Sequence, residues 1–243
     1  MDKILLVTGA SSDIGMQLIR DVYKEYKLIY AQYHHMNQQL KGLIDDIKNE
    51  IEIVPLEADF TDVNSVMEMI RKISDRGEIP NNIVHLPAPK AYNQKFHKDK
   101  WENYQLGWEI CIHSIVEILK TFMPAMVKAH YGRVVFMLTN NTVNVPAKYQ
   151  AGYVTVKYAL LGLMKSLSVE YMDKGITVNG VSPDMMETKF LTEIPDLIIE
   201  QNAANSPLKR NIYVKEVIPV IRHMLSDLGA SMTGQNIAIT GGR

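Results

Sequence analysis

The chain has 243 residues, of which 47% are apolar and 22% are charged, with a formal net charge of −1. This composition is typical of a single α/β domain over residues 1–243, and the near-zero charge excludes a basic surface for nucleic acid. The single Cys111 excludes an intrachain disulfide, and the lack of a long apolar run predicts a cytoplasmic protein that does not cross a membrane.

Short apolar runs alternate along the chain with longer amphipathic segments, as in repeated βαβ units. The predicted strands cover residues 4–7, 28–32, 51–57, 83–86, 132–138, 176–181 and 236–239. The predicted helices cover residues 14–26, 37–50, 62–75, 101–129, 152–174 and 215–225, with a short helix within 196–204. With right-handed crossovers, these elements predict a Rossmann-type, doubly wound parallel sheet of about seven strands with helices on both faces.

The first strand runs into a glycine-containing turn, Thr8-Gly9-Ala-Ser-Ser-Asp-Ile-Gly15, which is followed by a helix. Gly9 permits a sharp turn, and Gly15 permits close packing of the helix on the sheet. The helix N-terminus would offer N–H groups and a positive dipole end to a dinucleotide pyrophosphate, although such turns also occur without a ligand. Either the Asp13 carboxylate points aside and caps a backbone N–H, or it weakens binding of this anion.

Tyr153 and Lys157 lie four residues apart in a predicted helix, so the phenol and the ammonium share one face. A phenol has a pKa of about 10 in water, and a nearby ammonium is expected to lower it. Such a tyrosine can exchange a proton with a carbonyl or an alcohol. Thr139, at the end of the preceding strand, adds a hydroxyl that can donate or accept a hydrogen bond.

The glycine turn and the Tyr-x-x-x-Lys pair resemble the short-chain dehydrogenase/reductase family, and the resemblance covers nearly the whole chain. The segments 205–210, 233–235 and 240–242 resemble its 3-oxoacyl-[acyl-carrier-protein] reductase-like branch. The resemblance implies an NAD(P)H-dependent oxidoreductase that transfers a hydride between nicotinamide and a small-molecule carbonyl or alcohol. A 3-oxoacyl thioester is the first candidate substrate.

The resemblance also implies roles for individual residues. Tyr153 would donate the proton, and Lys157 would lower the pKa of Tyr153 and bind the nicotinamide ribose. Thr139 replaces the family's serine and would orient the substrate oxygen; because Thr139 is one residue further from Tyr153 than expected, Asn140 is the alternative. Cys111 aligns with the family's catalytic asparagine, whose backbone carbonyl holds a water in a proton relay. We expect the thiol itself to be a small buried hydrophobe without a redox or nucleophilic role.

A further set of residues is implied to bind the cofactor, and no metal site is expected. These cofactor residues are Gly9, Ser11, Ser12, Asp13, Ile14, Gly15, Tyr33, His34, Asp59, Phe60, Pro87, Lys157, Pro183, Met186 and Thr188. The second predicted strand ends at residues 31–35 without a carboxylate that would bind the ribose 2′-hydroxyl and repel a 2′-phosphate. The sequence therefore favours NADP(H) over NAD(H), although no arginine is present there to bind the phosphate.

Several residues depart from the family pattern, and they motivate a second hypothesis. These residues are Asp13, Pro87, Pro89, Cys111 and Asp184. The alternative is a catalytically impaired member with the same fold that acts as a binding or scaffold protein. The resemblance further implies a substrate lid around residues 185–207. It also implies a homodimer or homotetramer that pairs through the helices at 101–129 and 152–174.

Overall fold

The computed structural model describes residues 2–243, and its central element is one parallel sheet. Its strands are β1 (Ile4–Thr8), β2 (Leu28–Tyr33), β3 (Glu52–Glu57), β4 (Asn82–His85), β5 (Gly132–Met137), β6 (Ile176–Pro183) and β7 (Asn236–Ile239). They are arranged in the order β3-β2-β1-β4-β5-β6-β7, with every neighbouring pair parallel. The predicted seven-stranded, doubly wound sheet is confirmed.

Eight helices connect and cover the strands within the described residues. They are α1 (Asp13–Val22), α2 (Gln38–Ile47), α3 (Val63–Arg76), α4 (Trp101–Trp108), α5 (Ser114–Ala129), α6 (Ala151–Glu170), α7 (Asp196–Asn205) and α8 (Val214–Leu225). The helix predicted over 101–129 is present but contains a π-helical turn at Glu109–His113. The helices predicted to end at 26 and 174 finish instead in short 3₁₀ turns, Tyr23–Glu25 and Met172–Lys174. Such tighter turns are common where the last carbonyls of a helix lack partners.

The core consists of two apolar layers, one on each face of the sheet. Leu5 and Val7 of β1 pack with buried residues of α1, α2 and α8. Ile4 and Leu6 alternate with them and pack with buried residues of α3, α5 and α6. Because successive side chains of a strand point to opposite faces, a fully buried strand needs apolar residues at every position. This requirement explains why the strands could be predicted from continuous apolar runs.

The helical segment Trp101–Ala129 departs from one expectation. By length and composition alone it could cross a membrane, whereas the sequence was expected to contain no such segment. Half of its most apolar window is buried inside the fold. Core helices of globular proteins commonly have this degree of apolarity when one side packs on a sheet.

The chain reverses its direction of winding between β1 and β4. β1 pairs with β2 on one side and with β4 on the other, and Thr8 lies opposite His85 in the second pairing. In open α/β sheets, ligands bind beyond the carboxyl ends of the strands at such a switch point. The residues that follow β1, β4, β5 and β6 are therefore the first place to look for a site.

Candidate active site

A cavity of about 690 Å³ lies beyond the carboxyl ends of these strands. It brings together segments that are far apart in sequence, as the pattern of strand ends predicts. Of the predicted site residues, those that line it are Ser11, Ser12, Asp13, Ile14, Thr139, Tyr153, Lys157, Pro183, Met186 and Thr188. A cavity of this size suits a small-molecule ligand or cofactor.

The glycine turn forms one end of this cavity. Gly9 has a φ of +73°, a conformation that glycine adopts without strain. A Cβ added to Gly15 would lie 2.6 Å from the carbonyl oxygen of Gly9, so the helix can approach the turn this closely only with glycine there. The Ser12 hydroxyl caps α1 by accepting a hydrogen bond from the Gly15 N–H at 3.0 Å.

The Asp13 carboxylate binds a backbone N–H, as in one of the two alternatives, and Asp13 also lines the cavity. It accepts a hydrogen bond from the backbone N–H of Lys189 at 2.9 Å. Because α1 begins at Asp13, its first-turn N–H groups lack partners inside the helix, and the cavity opens beside them at Asp13 and Ile14. This donor set fits the pyrophosphate of a nicotinamide dinucleotide.

Tyr153, Lys157 and Thr139 meet at the other end of the cavity. Lys157 is only 2% exposed, and its Nζ donates a hydrogen bond to the Met137 carbonyl oxygen at 2.7 Å. The same Nζ lies 5.8 Å from the centre of the Tyr153 ring. The Thr139 hydroxyl lies near enough to the phenol to lower its pKa in part. The geometry therefore favours Thr139 over Asn140, whose side-chain oxygen accepts a hydrogen bond from Asn144 at 2.7 Å.

The pKa of Tyr153 differs from the expectation. Burial raises it to about 12, and the nearby Thr139 hydroxyl opposes this rise only in part. The predicted lowering by Lys157 is wrong for this structure, because the ammonium binds the Met137 carbonyl rather than the phenol oxygen. Burial in turn lowers the pKa of Lys157, since desolvation disfavours its charged form.

Cys111 lies inside the π-helical turn and is buried. Its Sγ donates a weak hydrogen bond to the Pro87 carbonyl oxygen at 3.4 Å, and burial raises the pKa of the thiol. Its own carbonyl oxygen lies 3.2 Å from His85 Nε2. The neighbourhood of Cys111 therefore suits a structural thiol. If the Cys111 carbonyl oxygen held the water of a proton relay, it would also have to accept the hydrogen bond from His85.

His85 was not identified from the sequence. Its Nδ1 lies 2.9 Å from the Thr8 hydroxyl, and a carbonyl oxygen can only accept, so Nε2 carries the proton and Nδ1 accepts from Thr8. Burial, with a smaller effect of Lys157, lowers the pKa of His85 to about 3. The sequence feature that could have identified His85 is that a polar residue stands in the buried strand β4, opposite Thr8, which precedes the glycine turn.

The residues predicted to hold the adenosine end lie outside the lining of this cavity. His34 Nε2 is 3.6 Å from Asp59 Oδ2, next to Tyr33 at the end of β2. The Thr61 N–H and hydroxyl both donate to Asp59 at 2.8 Å, and the backbone bond is the main cause of the lowered pKa of that carboxyl. The Phe60 ring is buried in the core against His85, so it is withheld from the groove.

Pro87, which was also predicted to bind the cofactor, packs against Gly9 of the glycine turn.

Within residues 2–243, no three His, Cys, Asp or Glu side chains come together as a group that could hold a metal ion.

The segment after β6 lines the cavity in the stretch for which a lid is predicted. The ring centre of Phe190 lies 6.1 Å from that of Tyr153. Leu191 and Ile194 are buried together with Ala91 of the loop after β4, and an ion pair of 3.2 Å joins Glu193 to Lys90 of that loop. These contacts hold the segment beside the Tyr153 end of the cavity.

Asp184 lies at the start of this lid, and its charge is balanced. Arg243 donates to its carboxylate at 2.9 Å and also to the Asn202 side-chain oxygen at 2.6 Å. The second carboxylate that was expected near the cofactor is therefore held in an ion pair. Arg243 was missed in the sequence, because nothing local to it signals a partner so distant along the chain.

Comparisons with known proteins match the chain over almost its whole length. A family model described as enoyl-(acyl carrier protein) reductase matches residues 9–243. The 3-oxoacyl-[acyl-carrier-protein] reductase FabG of Staphylococcus epidermidis is 24% identical over 245 residues, which cover 100% of this chain and 99% of that protein.

Two solved structures illustrate the likeness in fold. YwfH, titled as an NADPH dependent reductase involved in bacilysin biosynthesis, has a TM-score of 0.89 and 19% identity, with 100% of this chain and 98% of that chain covered. An NAD⁺-bound xylitol dehydrogenase has a TM-score of 0.88 and 21% identity, with 99% and 98% covered. One is an NADPH dependent reductase and the other an NAD⁺-bound dehydrogenase, so the likeness shows the fold alone.

Proposed function

Because the chain belongs to the short-chain dehydrogenase/reductase family, an NAD(P)H-dependent oxidoreductase family, we propose that it reduces a carbonyl substrate with NADPH. The reverse reaction would oxidise the corresponding alcohol. The observation that carries this proposal is the grouping of Tyr153, Lys157 and Thr139 at one end of a cavity whose other end is the glycine turn.

Each of these side chains has a distinct task in the proposed reaction. The bound nicotinamide supplies a hydride to the carbonyl carbon. Thr139 donates a hydrogen bond that orients the substrate oxygen, and Tyr153 gives that oxygen a proton. Burial raises the pKa of the phenol to about 12, so the phenol holds its proton at neutral pH, and its pKa must fall toward the working pH in the complex with cofactor and substrate for efficient transfer. The Lys157 ammonium, whose hydrogen bond goes to the Met137 carbonyl and not to the phenol, has the proposed task of binding the nicotinamide ribose.

The preference for NADPH rests on the end of β2. His34 and His35 stack there with their ring centres 3.8 Å apart, and no carboxylate follows the strand within residues 31–35. A carboxylate on the strand end itself would repel a 2′-phosphate. The Asp59 carboxylate, 3.6 Å from His34 Nε2, comes from the loop after β3 and accepts hydrogen bonds from Thr61. We therefore place the 2′-phosphate of the cofactor beside these histidines.

A 3-oxoacyl thioester is the substrate class we propose. The lid offers Phe190, Leu191 and Ile194 to the cavity, an apolar surface suited to an acyl chain. Asn141 and Gln150 line the same cavity and hydrogen-bond each other at 3.0 Å, so polar groups are available beside the reacting carbonyl. The name of the Staphylococcus relative supports the same class.

We also propose a cytoplasmic homodimer or homotetramer. Trp101 and Trp108 of α4 are 69% and 49% exposed, and Tyr158 and Val169 on α6 are 46% and 66% exposed. Large apolar side chains grouped on two helices are commonly covered by another subunit. The opposite side of α6 packs in the core, which fits a water-soluble assembly better than a membrane-embedded one.

A binding or scaffold protein is the second candidate, and the position of Asp13 favours it. Its carboxylate lines the cavity where the pyrophosphate would lie, and like charges repel. Titration with NADPH and, separately, with NADH, followed by nicotinamide fluorescence, separates the two functions. Micromolar binding of NADPH with weaker NADH supports the reductase, and binding of neither supports the scaffold.

A further inference from the structure

We propose that Lys189, carried by the lid, binds a phosphate group of the dinucleotide, and that the Asp13 carboxylate holds its backbone N–H until the cofactor enters. This inference rests on the proposed function and deepens it. It assigns a role to a residue outside the strand ends from which the cofactor contacts were predicted.

Lys189 joins the lid to two helices at once. Its backbone N–H donates to the carboxylate of Asp13, the first residue of α1, at 2.9 Å. Its ammonium donates to the side-chain oxygen of Gln39 in the first turn of α2. One lid residue thus crosses the space between the N-terminal turns of both helices.

This space favours an anion. α1 and α2 both begin here, and the Asn37 side-chain amide ties them together by donating to the Ser11 carbonyl oxygen at 2.8 Å. A helix N-terminus carries a partial positive charge, and the N-termini of α1 and α2 would both attract an anion in this space. The ammonium of Lys189 adds a full positive charge, so the region combines N–H donors with a cation.

Lys189 is also the cation that remains available for a phosphate. Three cationic side chains from the described part of the chain line the cavity, namely Lys157, Lys189 and Arg243. Lys157 binds the Met137 carbonyl at the catalytic end, and Arg243 is paired with Asp184. Within residues 2–243, Lys189 has no carboxylate partner within 4.0 Å of its Nζ, although it is exposed beside the groove.

The Asp13 carboxylate accepts the hydrogen bond from the Lys189 N–H that a phosphate oxygen of the cofactor could accept instead. A carboxylate oxygen and a phosphate oxygen accept the same kind of charge-assisted hydrogen bond from a backbone N–H. When a dinucleotide enters, its phosphate repels the carboxylate and competes for the same donor. The Lys189 ammonium offsets this repulsion, so a turn with a carboxylate in place of glycine can still bind the cofactor.

Dissociation constants of the full-length protein for NADPH and NADH test the role of the ammonium. Lys189→Met removes the charge and keeps the length, and we expect it to weaken NADPH binding about tenfold, whereas Lys189→Arg stays near the wild type. An equal loss for NADH assigns the contact to the pyrophosphate, and a loss for NADPH alone assigns it to the 2′-phosphate. Unchanged constants for both cofactors in Lys189→Met would overturn the inference.

Asp13 variants test the competition. Asp13→Asn keeps an oxygen acceptor without the charge and is expected to tighten NADPH binding severalfold, because the repulsion is removed. Asp13→Ala also loses the acceptor, so the amide hydrogen of Lys189 should exchange faster in the cofactor-free protein than in the wild type. Exchange at the wild-type rate would show that the Asp13 bond does not form in solution.

The two proposals fail in different ways. If the wild type binds neither NADPH nor NADH, the proposed reductase fails and the phosphate role fails with it. If the wild type binds NADPH and Lys189→Met binds it equally well, only the role of Lys189 is refuted.

Discussion

His85 Nε2 donates a hydrogen bond to the carbonyl oxygen of Cys111 across 3.2 Å, and this bond joins strand β4 to the π-helical turn. On its other side, His85 accepts from Thr8, the residue that precedes the glycine turn. One neutral imidazole therefore connects the glycine turn to the helical segment beside the catalytic end. Protonation would reverse the direction of the bond to Thr8, because the imidazolium would donate to the hydroxyl, which can itself donate to the Val84 carbonyl oxygen at 3.3 Å. The cost of protonation is therefore the burial of the charge.

His85 should make the stability of the protein depend on pH. Its pKa is about 3 in the folded protein and about 6.5 in an unfolded chain, so the unfolded state takes up the proton first as pH falls. The stabilisation is therefore complete above pH 6.5 and is lost progressively toward pH 3. Urea unfolding should show a loss of about 2 kcal/mol from this residue between pH 7 and pH 5.

The matched variants for this measurement are His85→Gln and His97→Gln. Glutamine at 85 can still donate to Cys111 but does not titrate, so the loss between pH 7 and pH 5 should shrink by about 2 kcal/mol. His97 is exposed, and its replacement should leave the loss unchanged. Equal pH dependence in the wild type and His85→Gln would contradict a neutral, buried His85.

Tyr153→Phe should abolish turnover without preventing cofactor binding. Loss of the proton donor is expected to lower kcat about 10²–10⁴-fold, while the dissociation constant for NADPH changes little because the ring is kept. Tyr158→Phe is the control, because Tyr158 lies on the same helix with its side chain exposed. A fully active Tyr153→Phe enzyme, measured with any carbonyl substrate that the wild type reduces, would refute the assigned role.

Lys157→Met should separate activity from stability. The ammonium is buried and its pKa is lowered, so the fold bears a cost for holding this charge. We expect a free energy of unfolding within about 1 kcal/mol of the wild type or above it, together with a large loss of kcat. Lys165→Met, on the same helix with its ammonium on the Gly234 carbonyl, is the control for activity. A strongly destabilised Lys157→Met protein would show that the lysine is needed for the fold.

The five inner strands of the sheet were predictable from sequence because they are buried on both faces, whereas β3 and β7 at its edges are partly exposed. A run such as Ile4–Thr8 must then be apolar at nearly every position, and the glycine turn after it marks where the strand ends. The π-helical turn at Glu109–His113 was not predictable, because no particular residue type is needed for the extra residue that a π turn inserts into an α-helix. Its position depends instead on tertiary contacts, such as the hydrogen bond from His85.

The site was predictable only as a set of residues at neighbouring strand ends. Tyr153, Lys157 and Thr139 were found because their spacing places them on one helix face and at one strand end. Their ionisation states could not be predicted in the same way. The pKa of Tyr153 depends on its burial and on the direction of the Lys157 ammonium, and both are set by the folded structure. Partners far apart in sequence, such as Lys189 with Asp13, leave no local pattern.

Cys111 should be unreactive in the native protein. It is 1% exposed, and burial raises the pKa of its thiol, so little thiolate is present at neutral pH. A thiol reagent is expected to label no cysteine in buffer and one per chain in urea. Cys111→Ala should stay active, because only the backbone carbonyl faces His85, and should lose about 1 kcal/mol of stability. Rapid labelling in buffer, or inactivation by Cys111→Ala, would contradict a purely structural thiol.

His34→Asp should reverse the cofactor preference. The new carboxylate would lie at the end of β2, beside Asp59, where it can accept hydrogen bonds from ribose hydroxyls and repel a 2′-phosphate. We expect the dissociation constant for NADPH to rise at least about tenfold, while that for NADH stays equal or falls. His34→Asn has a similar shape without the charge and should keep the wild-type order of affinities.

Titrations at low and high salt add a second criterion, because screening should restore part of the NADPH affinity of His34→Asp. If His34→Asp keeps the wild-type ratio of the two constants at both salt concentrations, the 2′-phosphate does not lie beside this histidine, and the proposed basis for NADPH preference is wrong.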